Sequence, residues 1–168
     1  MSRTSRDLRI AVVGAGFAGQ GHAFGFRNAQ MLPALKGVNV RLDTLVEPSA
    51  PLAQTVAAKY GFERTAAGIE EIIDRPEIEA VSLALPNNAY IDVVPRLLKA
   101  GKHVFCEKPL GLNSAEAEEM TRAAEEAGVV TSVGFCRRRV PALAALAQVV
   151  RDGGIGTVHS FRASYGRN

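Results

Sequence analysis

Long apolar runs are absent from this sequence: no stretch approaches the roughly 20 residues that a membrane-spanning helix needs, so a helix that crosses a membrane is excluded. Cysteine is nearly absent too. Cys106 and Cys136 stand alone without metal-ligand spacing, which excludes a disulfide framework, gives no reason to expect a metal, and fits a reducing compartment. A basic patch is also missing. The net charge of +3 arises from 20 basic and 17 acidic residues spread along the chain, and the densest run, Arg137-Arg138-Arg139, is three long. Without aromatic residues interleaved among basic ones, nothing argues for nucleic acid as a partner. What is present is a 47% apolar composition over 168 residues, enough for the core of one soluble domain, or of one domain and a piece of another. Basic Met1 to Arg9 followed by apolar Ile10 to Gly19 has the outline of a secretory leader, but the glycine spacing in that run has a better explanation, and a cytoplasmic protein is expected.

Leu8 to Val13 reads as a short strand leading into Gly14-Ala-Gly16-Phe17-Ala18-Gly19, then a helix with Ala18, His22 and Phe26 at helical spacing. In that setting G-x-G-x-x-G has a mechanism: a tight turn, close backbone approach to a pyrophosphate, and close packing of helix on strand. A glycine-rich turn with no ligand is the alternative. Gly21 and Gly25 should each weaken the helix by about 1 kcal/mol relative to alanine, so they are expected to mark close packing on the sheet. His22 reads as a hydrogen-bonded structural histidine. Gln30 to Gly37 reads as a long connection and Val38 to Val46 as the second strand, ending at Glu47. A carboxylate there can accept hydrogen bonds from the adenosine ribose, although an ordinary exposed glutamate before a proline turn is the alternative. No Arg or Lys follows until Lys59, which favours NAD over NADP.

Ser49 is placed to cap a helix through Tyr60 that Gly61 stops, Phe62 to Thr65 reads as a third strand, and Ile69 to Ile73 as a brief helix. Ala80 to Leu85 is the fourth strand, ending in Pro86-Asn87-Asn88; either asparagine could cap the next helix, in which Pro95 is awkward. His103 to Cys106 is the fifth strand. Asn113 with Glu116 starts a helix that Gly128 closes, and Val129 to Phe135 is the sixth strand. Strands alternating with helices through right-handed crossovers predict an α/β doubly wound parallel sheet of the Rossmann type. The usual strand order sets Gly14–Gly19, Leu85–Asn88 and Glu107–Pro109 along one crevice. Read alone, Glu107-Lys108-Pro109 could equally be a solvated loop.

Four motifs carry a resemblance. They are the glycine loop with His22 three residues beyond Gly19, Leu85-Pro86-Asn87, the run Ala100-Gly-Lys-His-Val-Phe-Cys-Glu-Lys-Pro109, and Arg138-Arg-Val-Pro141. With these the chain resembles the amino-terminal NAD(P)-binding domain of the glucose-fructose oxidoreductase / inositol dehydrogenase (Gfo/Idh/MocA) family. The resemblance implies an NAD(P)-dependent oxidoreductase moving hydride between the hydroxyl-bearing carbon of a sugar, polyol or cyclitol and nicotinamide, and a homo-oligomer in full-length form. It assigns Lys108 as catalytic, beside the reacting hydroxyl, with a cis Lys108–Pro109 peptide. Cofactor contacts fall to Gly14, Gly16, Phe17, Ala18, Gly19, Glu47, Leu85, Pro86, Asn87, Glu107, Lys108 and Arg138. Tyr90 and Cys136 depart from the family, which often has His and Asn at those positions near the nicotinamide.

The family's Asp-x-x-x-His pair is missing, since none of Asp7, Asp43, Asp74, Asp92 and Asp152 has a histidine four residues on. Thr157 to Tyr165 reads as a strand without a partner. The expected organisation is therefore a dinucleotide-binding domain over residues 7–136 and, over 137–168, the first helix and strand of a truncated α+β substrate domain. A stand-alone dinucleotide-binding or redox-sensing module without catalysis is the competing expectation.

Overall fold

In the computed structural model, which describes residues 6–164 and 166, the chain divides into two units, Met1–Gly134 and Phe135–Asn168. The first is a six-stranded parallel sheet: β1 (Arg6–Val13), β2 (Val38–Val46), β3 (Arg64–Ala66), β4 (Ala80–Leu83), β5 (His103–Cys106) and β6 (Thr131–Val133). Their order across the sheet is β3-β2-β1-β4-β5-β6. Central strands covered on both faces must be apolar throughout, and β1 accordingly ends in Ile10-Ala-Val-Val13, all buried. Helices α1 (Phe17–Asn28) and α2 (Ala50–Tyr60) cover one cluster, with Val12, Leu45 and Val56 inside it. The larger cluster joins the sheet to α3 (Glu70–Ile73), α4 (Tyr90–Lys99) and α5 (Ser114–Ala127) through Leu83, Ile72, Leu97 and Met120.

Local chemistry accounts for several boundaries. Gly61 ends α2 in the left-handed conformation, φ 78°, with its N–H donating to Ala57 O. Asn113 Oδ1 accepts the Glu116 N–H at 3.0 Å, while the Glu116 carboxylate accepts from Leu112 N and Asn113 Nδ2, so the start of α5 is held from both sides. Elsewhere the structure corrects the expectation. Ser49 occupies the cap position of α2 without a side-chain bond, and its backbone N–H donates to Glu47 Oε1. Asn87 lies in a short 3-10 turn (Asn87–Ala89), and Ala89, not an asparagine, precedes α4, which runs through Pro95. A Cβ on Gly21 or Gly25 would meet nothing within 4 Å, so neither glycine marks close packing.

The second unit holds a 3-10 turn (Cys136–Arg139) and α6 (Pro141–Arg151). Residues 157–164 are not a strand, and Tyr165 lies outside the described residues. A strand exists by pairing, and among the described residues no neighbour pairs with this one; the alternation of Phe161 and Ala163 alone cannot hold it extended. No helix among the described residues is long and apolar enough to cross a membrane.

Candidate dinucleotide site

The glycine loop joins β1 to α1 at the carboxyl edge of the sheet. Gly14 has φ +97°, and a Cβ there would come within 2.4 Å of Ala84 O on the neighbouring loop. Gly19 packs its α-carbon against the same turn, where a Cβ would stand 1.8 Å from Gly14 O. Gly16 differs: its Cβ position faces open space. No side chain caps α1, so the first N–H groups of a 12-residue helix are left for an external acceptor, and they carry the positive end of its dipole. Two glycines are thus required by the fold, and the middle one leaves room beside free donors. That is the shape a pyrophosphate needs.

Glu47 ends β2 opposite this loop. Its Oε2 accepts the Ala15 N–H and its Oε1 the Ser49 N–H, both at 3.1 Å. A carboxylate oxygen has lone pairs for a second donor, so the group can still receive a hydroxyl. Gly14, Gly16, Glu47, Leu85 and Pro86 line one cleft of about 610 Å³, whose far wall is Gly68, Ile69, Val93 and Arg96.

The Glu107 strand end is built from separate contacts. Glu107 N–H donates to Leu83 O at 3.0 Å, and Glu107 Oε2 accepts the Lys108 N–H at 3.2 Å. The Lys108–Pro109 peptide is cis. Lys108 is exposed, while the Glu107 carboxylate turns inward to His22 Nε2 at 3.3 Å. His22 in turn meets Ser82 Oγ at 3.0 Å through Nδ1, so it is the hydrogen-bonded histidine that its place on α1 suggested. Cys106, the last residue of β5, is buried in the core cluster with Leu83 and Tyr90, and burial, with the Glu107 charge adding, pushes its thiol up to about 12. A thiol so shielded stays protonated and unreactive at neutral pH.

Residues 8–135 match the profile of an oxidoreductase family with an NAD-binding Rossmann fold, GFO_IDH_MocA. The chain belongs to this family. Levoglucosan dehydrogenase of Pseudarthrobacter phenanthrenivorans is 33% identical over 164 residues, 95% of this chain and 41% of that protein. Myo-inositol 2-dehydrogenase of Thermotoga maritima is 33% identical over 155 residues, 92% of this chain and 44% of that protein. A levoglucosan dehydrogenase solved with NADH and levoglucosan superposes with a TM-score of 0.84 at 30% identity, covering 90% of this chain and 41% of the other. The chain therefore spans about two fifths of the length of these relatives.

In this Gfo/Idh/MocA chain the residues expected at the site divide into three groups. Gly14, Gly16, Glu47, Leu85 and Pro86 share the cleft. Phe17 and Ala18 open α1 with Phe17 fully exposed, Gly19 is internal packing, and Asn87, Glu107 and Lys108 follow the ends of β4 and β5. Arg138 belongs to the second unit, where its guanidinium lies 5.0 Å from the Phe135 ring, and Cys136 there is exposed. Tyr90, at a position where the family often has a histidine, is 1% exposed within the core that includes Leu85 and Cys106. Burial pushes its phenol up to about 12, helped by Cys106 and Glu107 and opposed by a backbone hydrogen bond at Leu85. An aromatic ring fills that volume and stays neutral.

Spacing gave no sign of Glu70 and Arg96. They line the cleft from α3 and α4 and form an ion pair at 2.7 Å. The signal that could have found Arg96 is helical: it stands three residues after Val93, on the same α4 face, and Val93 lines the cleft as well.

Proposed function

We propose that this chain binds NAD(H) in the cleft between the glycine loop and Glu47, and that it is the cofactor-binding part, residues 7–136, of a dehydrogenase acting on a sugar, polyol or cyclitol hydroxyl. The open space at Gly16 beside the uncapped start of α1 carries this reading. On it the α1 N-terminus holds the pyrophosphate and Glu47 accepts the ribose hydroxyls. Leu85 and Pro86 form the wall toward the nicotinamide. When bound, the cofactor supplies a hydride acceptor or donor. Lys108, exposed at the end of β5, orients the reacting hydroxyl and exchanges its proton. Residues 137–168 then begin the substrate-binding part, and the complete protein is a cytoplasmic homo-oligomer. Glu47, with no cation close behind it in sequence and with Arg96 already paired to Glu70, disfavours a 2′-phosphate, so NAD is preferred over NADP.

Thermal denaturation with NAD, NADH, NADP and NADPH tests the reading. A ligand that binds only the folded state at a hundredfold excess over its Kd adds about 2.7 kcal/mol. The expected outcome is an upward shift with NAD or NADH exceeding that with the phosphorylated forms. No shift with any of the four refutes it.

A further inference from the structure

The hydrogen bonds of His22 reach three elements at once. His22 stands on α1, five residues beyond the start of the helix whose N-terminus faces the cleft; Ser82 is inside β4; Glu107 directly follows β5. We propose that Ser82, His22 and Glu107 form a positioning chain that fixes the Glu107–Lys108 strand end, so that His22 and Ser82 act on the reaction through Lys108 without touching substrate or cofactor. This rests on the role given to Lys108 above.

The donor and acceptor pattern follows from the geometry. A carboxylate only accepts, so in the 3.3 Å contact between His22 Nε2 and Glu107 Oε1 the hydrogen belongs to Nε2. In the neutral ring Nδ1 is then an acceptor, and the Ser82 hydroxyl at 3.0 Å donates to it. Glu107 therefore selects the tautomer, and the Ser82 hydroxyl, able to donate or accept, completes it as the donor to Nδ1. The ring plane is fixed independently by Phe105, which meets it edge-on with centroids 5.2 Å apart and planes at 82°. The second carboxylate oxygen accepts the Lys108 N–H, so the chain ends on the peptide that carries the amine. Space for the carboxylate is provided by Gly134. A Cβ there would lie 2.6 Å from Glu107 Oε1 and 3.0 Å from its Cδ. A free glutamate would swing aside, but this one is tied at both oxygens.

Two other roles fail on the same observations. Ser82 is 1% exposed within a central strand, so it cannot reach a substrate as a nucleophile, despite the serine-histidine-carboxylate composition. Nor can the chain relay a proton onward from Glu107 through the interior, because it ends at that buried hydroxyl with no further partner among the described residues. Holding geometry is what remains, and small displacements at a reacting centre cost large factors in rate.

The test uses the 168-residue chain. Long-range proton-nitrogen correlation spectra should show His22 with hydrogen on Nε2 in its neutral form. Exchange of the Lys108 amide should accelerate about tenfold in His22→Ala and in Gly134→Ala, the loss of one hydrogen bond to a charged acceptor. His22→Gln, which returns an N–H donor toward Glu107, should restore much of the protection. The Val104 amide, on β5 and bonded to Val130 O just before β6, is the control for a merely structural effect and should be unchanged in Gly134→Ala. Hydrogen on Nδ1, unchanged Lys108 exchange in Gly134→Ala, or acceleration shared equally by Val104 would each overturn the proposal. Failure of the unchanged chain to be stabilised by NADH would instead remove the function assigned to Lys108, while the exchange results would still report on the chain of bonds.

Discussion

Replacing Asp43 by asparagine should destabilise the first unit more than any surface substitution, for reasons visible in the β1–β2 pairing. The ladder slips between Ile10 and Ala11, which pair with Leu42 and Thr44, leaving Asp43 as an extra residue in β2. Its fully buried carboxylate accepts from Arg9 Nε at 2.7 Å, Thr44 Oγ1 at 2.7 Å and Arg64 Nη1 at 3.1 Å. Arg75 Nη2 lies 3.0 Å away but without hydrogen-bond alignment, so that contact is coulombic. Burial alone would raise the Asp43 pKa, but Thr44, Arg9 and Arg75 together hold it below the usual carboxylate range. The asparagine side chain would keep the shape while removing the charge, and its amide would turn donors toward donors.

Breaking a buried ion pair from one side costs about 3–5 kcal/mol. Here Arg9 and Arg75 are partly exposed and keep Glu63 and Glu77 as partners, which argues for the lower end, about 3 kcal/mol. For a unit of this size that is a fall of roughly 10 °C in Tm. The pH dependence adds a second check. A depressed folded pKa contributes stability that is fully present above the unfolded aspartate value, about 3.9, and is lost as pH falls toward the folded value. The gap between the original chain and Asp43→Asn, read from urea melts, should be flat from pH 7 to about 5 and narrow below about 4. A gap under about 1 kcal/mol at pH 7, or one that stays constant into acid, would refute the reasoning.

The glycine loop offers a contrast within six residues. Gly16→Ala should leave urea stability within about 0.5 kcal/mol, since its Cβ meets nothing and its φ of −69° suits alanine, yet weaken NADH binding at least tenfold by occupying the space beside the helix donors. Gly19→Ala should cost about 1–3 kcal/mol in the same melts, because its Cβ would meet backbone that cannot move aside cheaply. Equal stability losses in the two would contradict the division of labour. In a longer, catalytically active form, Lys108→Ala should lower kcat by about 10²-fold or more while changing cofactor Kd little, as steady-state kinetics and NADH titration would report.

Much of this was legible in the residues, and for identifiable reasons. Val38–Val46 and His103–Cys106 have the predicted ends because charge, glycine or loop residues stop the apolar pattern on both sides. Alternating elements and right-handed crossovers pointed to a doubly wound parallel sheet, and the strand order is the usual one for that fold. Asn113 and Glu116 declared their cap through spacing alone. What stayed hidden depends on distance through space. Asp43 lies inside the strand read over Val38–Val46, and only the register shows it to be a bulged residue collecting arginines from three other segments. Arg96 and Glu70 are 26 residues apart, and nothing local announces that α3 and α4 meet at the cleft. Residues 157–164 alternate like a strand, but alternation states only which face would be buried if a partner were there.

The bonds that tie Glu47 to Ala15 and Ser49 bear on affinity through entropy. A glutamate fixed from free rotation loses up to about 2 kcal/mol of side-chain freedom. In this chain that ordering occurs on folding, because the loop that would receive the pyrophosphate also restrains the carboxylate that would receive the ribose. A ligand bridging the two would find both ends already set, and the enthalpy of its hydroxyl bonds would not be offset by freezing a mobile arm. The longer reach of glutamate is what lets one residue at the end of β2 fold back to Ala15 and still cap the turn at Ser49.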